Sequence, residues 1–117
     1  MKNNKKIYAV IGTPLGHTYS PKLHNYWIKK KKINAIYKKF DIKKNKLRSI
    51  IKQIKNQKLY GLNVTIPHKI SVINFLDKIE GDARITKSVN TILYQKGKII
   101  GENTDVYGVE NGFLKKI

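Results

Sequence analysis

Leu47-Arg-Ser-Ile-Ile-Lys-Gln-Ile54 and, after a short polar link, Leu59-Tyr-Gly-Leu-Asn-Val64 form the stretch that decides the fold class. Leu47, Ile50, Ile51 and Ile54 fall at i, i+3, i+4 and i+7. That spacing gathers them on one side of a helix and turns Arg48 and Lys52 outward. From Leu59 the period is lost. A short, largely apolar run follows until Pro67 cuts it off, the pattern of a strand buried within a sheet. A surface helix feeding a buried strand is the repeating unit of an α/β protein.

The same alternation continues on both sides. Towards the N-terminus, Lys6-Ile-Tyr-Ala-Val-Ile-Gly12 reads as a short buried strand closed by glycine. Ser20-Pro21 reads as a helix N-cap followed by proline at the first helical position, with Leu23, Tyr26 and Trp27 as the apolar side of that helix. Residues 34 to 41 read as a second strand through Ile36, Tyr37 and Phe40. Towards the C-terminus, the spacing predicts a helix opened by Lys69 and carrying Ile70, Ile73 and Leu76. Residues 88 to 94 and 97 to 101 read as two extended runs joined at Gln95-Lys96-Gly97, a hairpin turn. A last helix is expected from Thr104-Asp105, through Val106, Val109 and Phe113. The expectation is a three-layer α/β domain. It has a mainly parallel sheet of about five or six strands, helices on both faces, and an antiparallel pair from the late hairpin. No internal repeat, linker or second domain is visible, and 117 residues suit one core rather than two.

Composition narrows the function classes. The chain has no cysteine, which removes disulfide frameworks, thiolate metal sites and cysteine nucleophiles and agrees with a reducing cytosol. The Lys-rich start imitates a signal peptide, but the apolar run Ile7 to Ile11 is shorter than an h-region and Gly12-Thr13-Pro14 breaks it. No segment approaches the length of a membrane span, so a soluble, cytoplasmic protein is expected. The formal net charge of +18 suggests nucleic acid. Yet Arg48 and Arg84 are the only arginines, so 23 of the 25 cationic side chains are lysine. Lys29 to Lys32, Lys43, Lys44, Lys52 and Lys55 lie on predicted helix exteriors, which reads as a solvated basic face. Such a charge still attracts anionic metabolites.

Chemistry-bearing residues cluster after the strands, where ligands bind in open parallel sheets. After strand one come Thr18 and Ser20, two hydroxyls beside a helix N-terminus, a setting that suits a carboxylate; Ser20 as a plain helix cap is the alternative. After strand three come Thr65 and Lys69. A proton-transferring lysine must be partly desolvated or near other cations; an ordinary solvated lysine is the alternative. Asn90 lies in the fourth strand and Asp105 follows the fifth. Asn90 can donate to and accept from a hydroxyl, and Asp105 can accept from a hydroxyl or pair with Lys69. A turn asparagine and an aspartate complementing a helix dipole are the alternatives. Together the set describes a pocket for a small polyhydroxylated acid. His17, His24 and His68 have no metal-ligand spacing, so no metal is expected, and His17 and His24 are assigned to loop or helix packing.

Four blocks then resemble one family. Gly12-x-Pro-x-x-His-Thr-x-Ser-Pro-x-x-His-Asn25, Gly61-x-Asn-Val-Thr-x-Pro-x-Lys69, Ser88-Val-Asn-Thr91 and Gly101-x-Asn-Thr-Asp-x-x-Gly108 occur in the order seen in shikimate dehydrogenases and span nearly the whole chain. The resemblance implies that Thr18 and Ser20 hold the shikimate carboxylate and that Thr65 adds a hydroxyl contact. It implies that Asn90 reads the ring hydroxyls, and that Lys69 is the catalytic lysine with Asp105 as its carboxylate partner. The implied reaction is reversible reduction of 3-dehydroshikimate to shikimate with NADPH. Thr18 stands where Ser is usual, and Lys87-Ser88 where a Gly-Ala pair is usual. No G-x-G-x-x-G occurs, so no cofactor-binding residue is expected on this chain. Residues 1–117 are expected to be the substrate-binding domain of a longer enzyme, inactive alone and lacking the NADP-binding domain. The expected partner is shikimate or 3-dehydroshikimate, with no membrane and no specific nucleic acid, in a monomer or homodimer. A stand-alone, non-catalytic module for a hydroxy acid, a quinate/shikimate dehydrogenase fragment and a basic nucleic-acid-binding domain are the competing readings.

Overall fold

The computed structural model describes residues 5–16 and 20–104, the side chain of Ser20 excepted. In chain order the elements begin with β1 (Lys6–Gly12), α1 (Ser20–Lys30) and β2 (Ala35–Asp41). A 3₁₀ turn (Lys44–Lys46), α2 (Leu47–Lys55) and β3 (Gly61–Val64) follow. A 3₁₀ helix (Ser71–Phe75) leads to β4 (Lys78–Ile79), α3 (Asp82–Thr86), β5 (Thr91–Gln95) and β6 (Lys98–Glu102). The six strands form one sheet in the order β2-β1-β3-β5-β6-β4. β1 pairs in parallel with β2 and β3, and β4 with β6. β5 runs against both of its neighbours, β3 and β6, so the late hairpin contributes two antiparallel pairings rather than one.

Strand alternation sorts the core. Ala9 and Ile11 of β1, Leu62 and Val64 of β3 and Ile92 of β5 share one face with Leu47, Ile50, Ile51 and Ile54 of α2. All four α2 residues are buried, Leu47 and Ile54 completely, as their spacing requires. Val10, Tyr37 and Leu15 form a smaller cluster on the other face, closed by Tyr8 and by Ile28 of α1. Helices therefore cover both faces. Lys29 to Lys32, Lys43, Lys44, Lys52 and Lys55 are all exposed.

Three segments differ from the sequence expectation. The helix expected from Lys69 is a five-residue 3₁₀ helix, Ser71–Phe75, with Ile70 outside it and exposed. Asp77 explains the shortening. Its N–H donates to the Ile99 carbonyl at 2.9 Å and its carboxylate accepts from the Ile99 N–H at 2.7 Å, so the chain must turn extended at once. Asn90 sits one residue before β5, not within a strand. β4 and α3 are too short to leave a periodic signal. The hairpin turn itself is as expected: Lys96 and Gly97 both have positive φ, the conformation of a two-residue loop between twisted strands.

The β2 edge of the sheet is not bare. The Asn25 side chain of α1 donates its Nδ2 to the Tyr37 carbonyl and accepts the Tyr37 N–H on Oδ1, both at 2.8 Å.

Candidate active site

The carboxyl ends of β1, β2 and β3 lie on one sheet edge. Because β5 is antiparallel to β3, its amino end reaches the same edge, and β6, antiparallel to β5, ends there too. The topology thus brings the loops after Gly12, Asp41 and Val64 together with Asn90 and Thr104. Backbone bonds join them. The Val64 N–H donates to the Asn90 carbonyl and the Val89 N–H to the Lys69 carbonyl, both at 2.8 Å. The Thr65 N–H donates to the Ile11 carbonyl at 2.9 Å, and the Thr13 N–H to the Ile66 carbonyl at 3.1 Å. Gly12 allows this closeness: a Cβ there would lie 2.5 Å from Thr65 Cγ2 and 2.9 Å from the Ile66 oxygen. Thr65, Lys69 and Asn90 are each half-buried at this edge.

Asn90 is held in one orientation. Its Oδ1 accepts from the Thr104 N–H and from the Thr91 hydroxyl, both at 3.0 Å, while its Nδ2 donates to the Thr104 hydroxyl at 3.0 Å. Behind it, the Tyr37 hydroxyl donates to Asn63 Oδ1 at 2.6 Å, and Asn63 Nδ2 makes longer 3.4 Å contacts with the Asn90 carbonyl and the Thr91 hydroxyl. Burial pushes the Tyr37 phenol up to about 12, so it stays a donor at neutral pH. His24 stacks on the Tyr37 ring at 4.2 Å, the packing role expected of it. The loop after β1 is tied to β2 through Asp41, whose carboxylate accepts the Leu15 N–H at 2.9 Å. The Thr13 hydroxyl first and then that Leu15 N–H hold the Asp41 carboxyl below the ordinary carboxylate range; desolvation opposes them, and the charge of Lys39 adds a lesser lowering.

Of the residues singled out from sequence, the fold therefore unites Thr65, Lys69 and Asn90. Thr18 and Asp105 lie outside the described residues, as does the side chain of Ser20; the helix that Ser20 opens starts at the same edge. Sequence reading missed the supporting roles of Tyr37, Asn63, Thr91 and Asp41. The signal available was a polar Asn63 inside an otherwise apolar strand. Among the described residues no group of three His, Asp or Glu could hold a metal ion. The Gly12–Gly16 loop does not offer a dinucleotide cradle. A pyrophosphate cradle needs free N–H groups on a glycine-rich loop. Here the Thr13 and Leu15 N–H groups are already bonded, to Ile66 and Asp41, and Leu15 is buried between Gly12 and Gly16.

Known proteins share this fold. A family model described as the shikimate dehydrogenase substrate binding domain matches residues 10–92. A protein of Pelagibacter ubique named shikimate dehydrogenase (NADP(+)) is 50% identical over 104 residues, which cover 89% of this chain and 39% of that protein. The chain thus spans about two fifths of the length of such relatives. A crystal structure of a shikimate dehydrogenase in complex with NADP+ superposes with a TM-score of 0.89 at 40% identity, covering 97% of this chain and 39% of that one. A ligand-free 5-ketofructose reductase of Gluconobacter reaches a TM-score of 0.90 at 28% identity over 97% of this chain and 41% of its own. The match over residues 10–92 runs from within β1 to the start of β5, including the loops that carry Thr65, Lys69 and Asn90, and this chain belongs to the shikimate dehydrogenase substrate-binding domain family.

Proposed function

We propose that residues 1–117 form one domain, the substrate-holding and proton-handling half of a cytoplasmic shikimate dehydrogenase that interconverts 3-dehydroshikimate and shikimate with NADP(H). The observation that carries this reading is the convergence of Thr65, Lys69 and Asn90 on one sheet edge, joined through the Val64–Asn90 and Val89–Lys69 backbone bonds. Thr18 and Ser20 take the substrate carboxylate, since hydroxyls close in sequence to a helix N-terminus favour an anion. Thr65 and the oriented amide of Asn90 take ring hydroxyls. Lys69 holds the proton that the substrate oxygen gains on reduction and takes it back on oxidation. Asp105 orients that ammonium and the hydroxyl. The hydride chemistry belongs to a cofactor that the described residues do not hold. The protein works as a monomer or homodimer, away from membranes and without specific nucleic-acid binding.

A second reading is a non-catalytic module for a small hydroxy acid, with which the engaged N–H groups of the Gly12–Gly16 loop agree equally well. Both readings require the same pocket, and they part on activity once a dinucleotide-binding domain is attached. The first test is calorimetric titration of the 117-residue chain with shikimate, quinate and 5-ketofructose, alongside an assay of shikimate oxidation with NADP. Shikimate should bind, and the chain alone should not oxidise it. Binding of 5-ketofructose in place of shikimate would overturn the substrate assignment, and NADP-dependent turnover by this chain would overturn the division of labour.

A further inference from the structure

His68 stands apart from the loop that carries it. Ile66 and Ile70 are 73% and 69% exposed and Pro67 is exposed, whereas His68 is 1% exposed. Its Nε2 lies 2.7 Å from the Ile42 carbonyl, just beyond β2. A carbonyl only accepts, so Nε2 carries the hydrogen. That leaves Nδ1 as a buried nitrogen with no hydrogen-bond partner among the described residues. A desolvated, unpartnered nitrogen is a cost that an apolar side chain of similar size would not carry. What histidine gains here is one directional bond.

That bond closes a ring around the site. The Ile42 N–H donates to the Gly12 carbonyl at 3.0 Å. The Ile42 carbonyl accepts from His68. The His68 N–H donates to the Thr65 carbonyl at 3.0 Å, and Thr65 lies directly against Gly12. The His68 carbonyl accepts the Val72 N–H at 3.0 Å, fixing the start of the 3₁₀ helix. The next residue is Lys69. We propose that His68 is a positioning residue: through its bond to Ile42 it ties the Thr65–Lys69 loop to the ends of β1 and β2 and sets where the Lys69 ammonium stands. Its place in catalysis rests on the reading of Lys69 as the proton carrier.

Two substitutions separate the bond from mere bulk. In His68→Gln the side-chain amide reaches the place of Nε2 and keeps a donor for Ile42. His68→Met fills similar space without one, and His68→Phe serves if Met yields no folded protein. Hydrogen exchange of the Thr13, Thr65 and Val72 amides, measured on the 117-residue chain without ligand, reports the loop directly. The bond-less variant should speed these amides roughly 3- to 10-fold, the scale of one lost hydrogen bond, while α2 amides stay unchanged and His68→Gln behaves as the parent. In parallel, the lysines are ¹³C-methylated and the Lys69 methyl resonance is followed as shikimate is added. The parent and His68→Gln should show a ligand-induced shift that the bond-less variant loses. Unchanged exchange in the bond-less variant, or a Gln variant as loose as it, overturns the proposal. A parent chain that ignores shikimate overturns the functional reading instead, and the exchange rates still decide what His68 does.

Discussion

At the scale of single residues, the proposed chemistry rests on Lys69. It lies at the sheet edge with Asn90 and is half-buried. Joined to a dinucleotide-binding domain, these residues should form an enzyme in which Lys69→Met lowers turnover by about 10²–10⁴-fold, with a much smaller change in substrate affinity. Asp105→Asn should also lower turnover, and the double variant should lose far less than the product of the two, because residues acting as a unit are not additive. Near-normal turnover of Lys69→Met would return Lys69 to the many surface lysines. Asp41 makes a separate prediction about pH. Its folded carboxyl titrates below the ordinary aspartate range, chiefly through the Thr13 hydroxyl and the Leu15 N–H. A depressed carboxyl adds stability that is fully present above the unfolded value and is lost as pH falls through the folded one. Thermal midpoints of the parent and of Asp41→Asn should therefore differ at neutral pH, with the parent higher, and draw together below about pH 4. A gap that persists into strong acid would show that the charge is not what matters there.

At the scale of elements, local pattern was legible wherever it was long enough to repeat. β1 occupies the residues read for it, and α2 buries the four residues whose spacing announced it. β4 and α3, two and five residues long, hold no period to read. The exit from the 3₁₀ helix depends on Asp77 meeting Ile99, a contact across 22 residues that no local window contains. The site divides in the same way. The blocks holding Thr65, Lys69 and Asn90 stand in the sequence as motifs, but their supports are long-range: Tyr37 to Asn63, Asp41 to Leu15, His68 to Ile42. Four described non-glycine residues, Lys32, Gln57, Lys87 and Lys96, have positive φ. Lys87, which closes α3, has φ +57 and ψ +37, the left-handed region that favours glycine. Lys87→Gly should raise stability by up to about 1 kcal/mol, the gain from relieving the Cβ being partly offset by a freer unfolded chain. A higher urea midpoint with an unchanged slope is the expected reading, and an unchanged or lower midpoint would refute the strain.

At the scale of the whole molecule, charge and sheet ends set how the protein meets its surroundings. With a net charge of +18 the chain attracts any polyanion. Binding to a DNA duplex should be weak at low salt and should vanish by moderate salt, the steep dependence of counterion release without base contacts. Tight, sequence-selective binding that survives moderate salt would point to nucleic acid as a true partner. The two ends of the sheet behave differently from the charged faces. β4 is only two residues long, and at β2 the Asn25 carboxamide already occupies the Tyr37 backbone, with exposed Lys38 and Lys39 alongside. An incoming peptide finds no free ladder at Tyr37 and meets like charge beside it. Asn25 thus acts as a stopper against templated growth. A chain this rich in isoleucine is denied a place to recruit a donor strand at Tyr37, so fibril seeding should not start there.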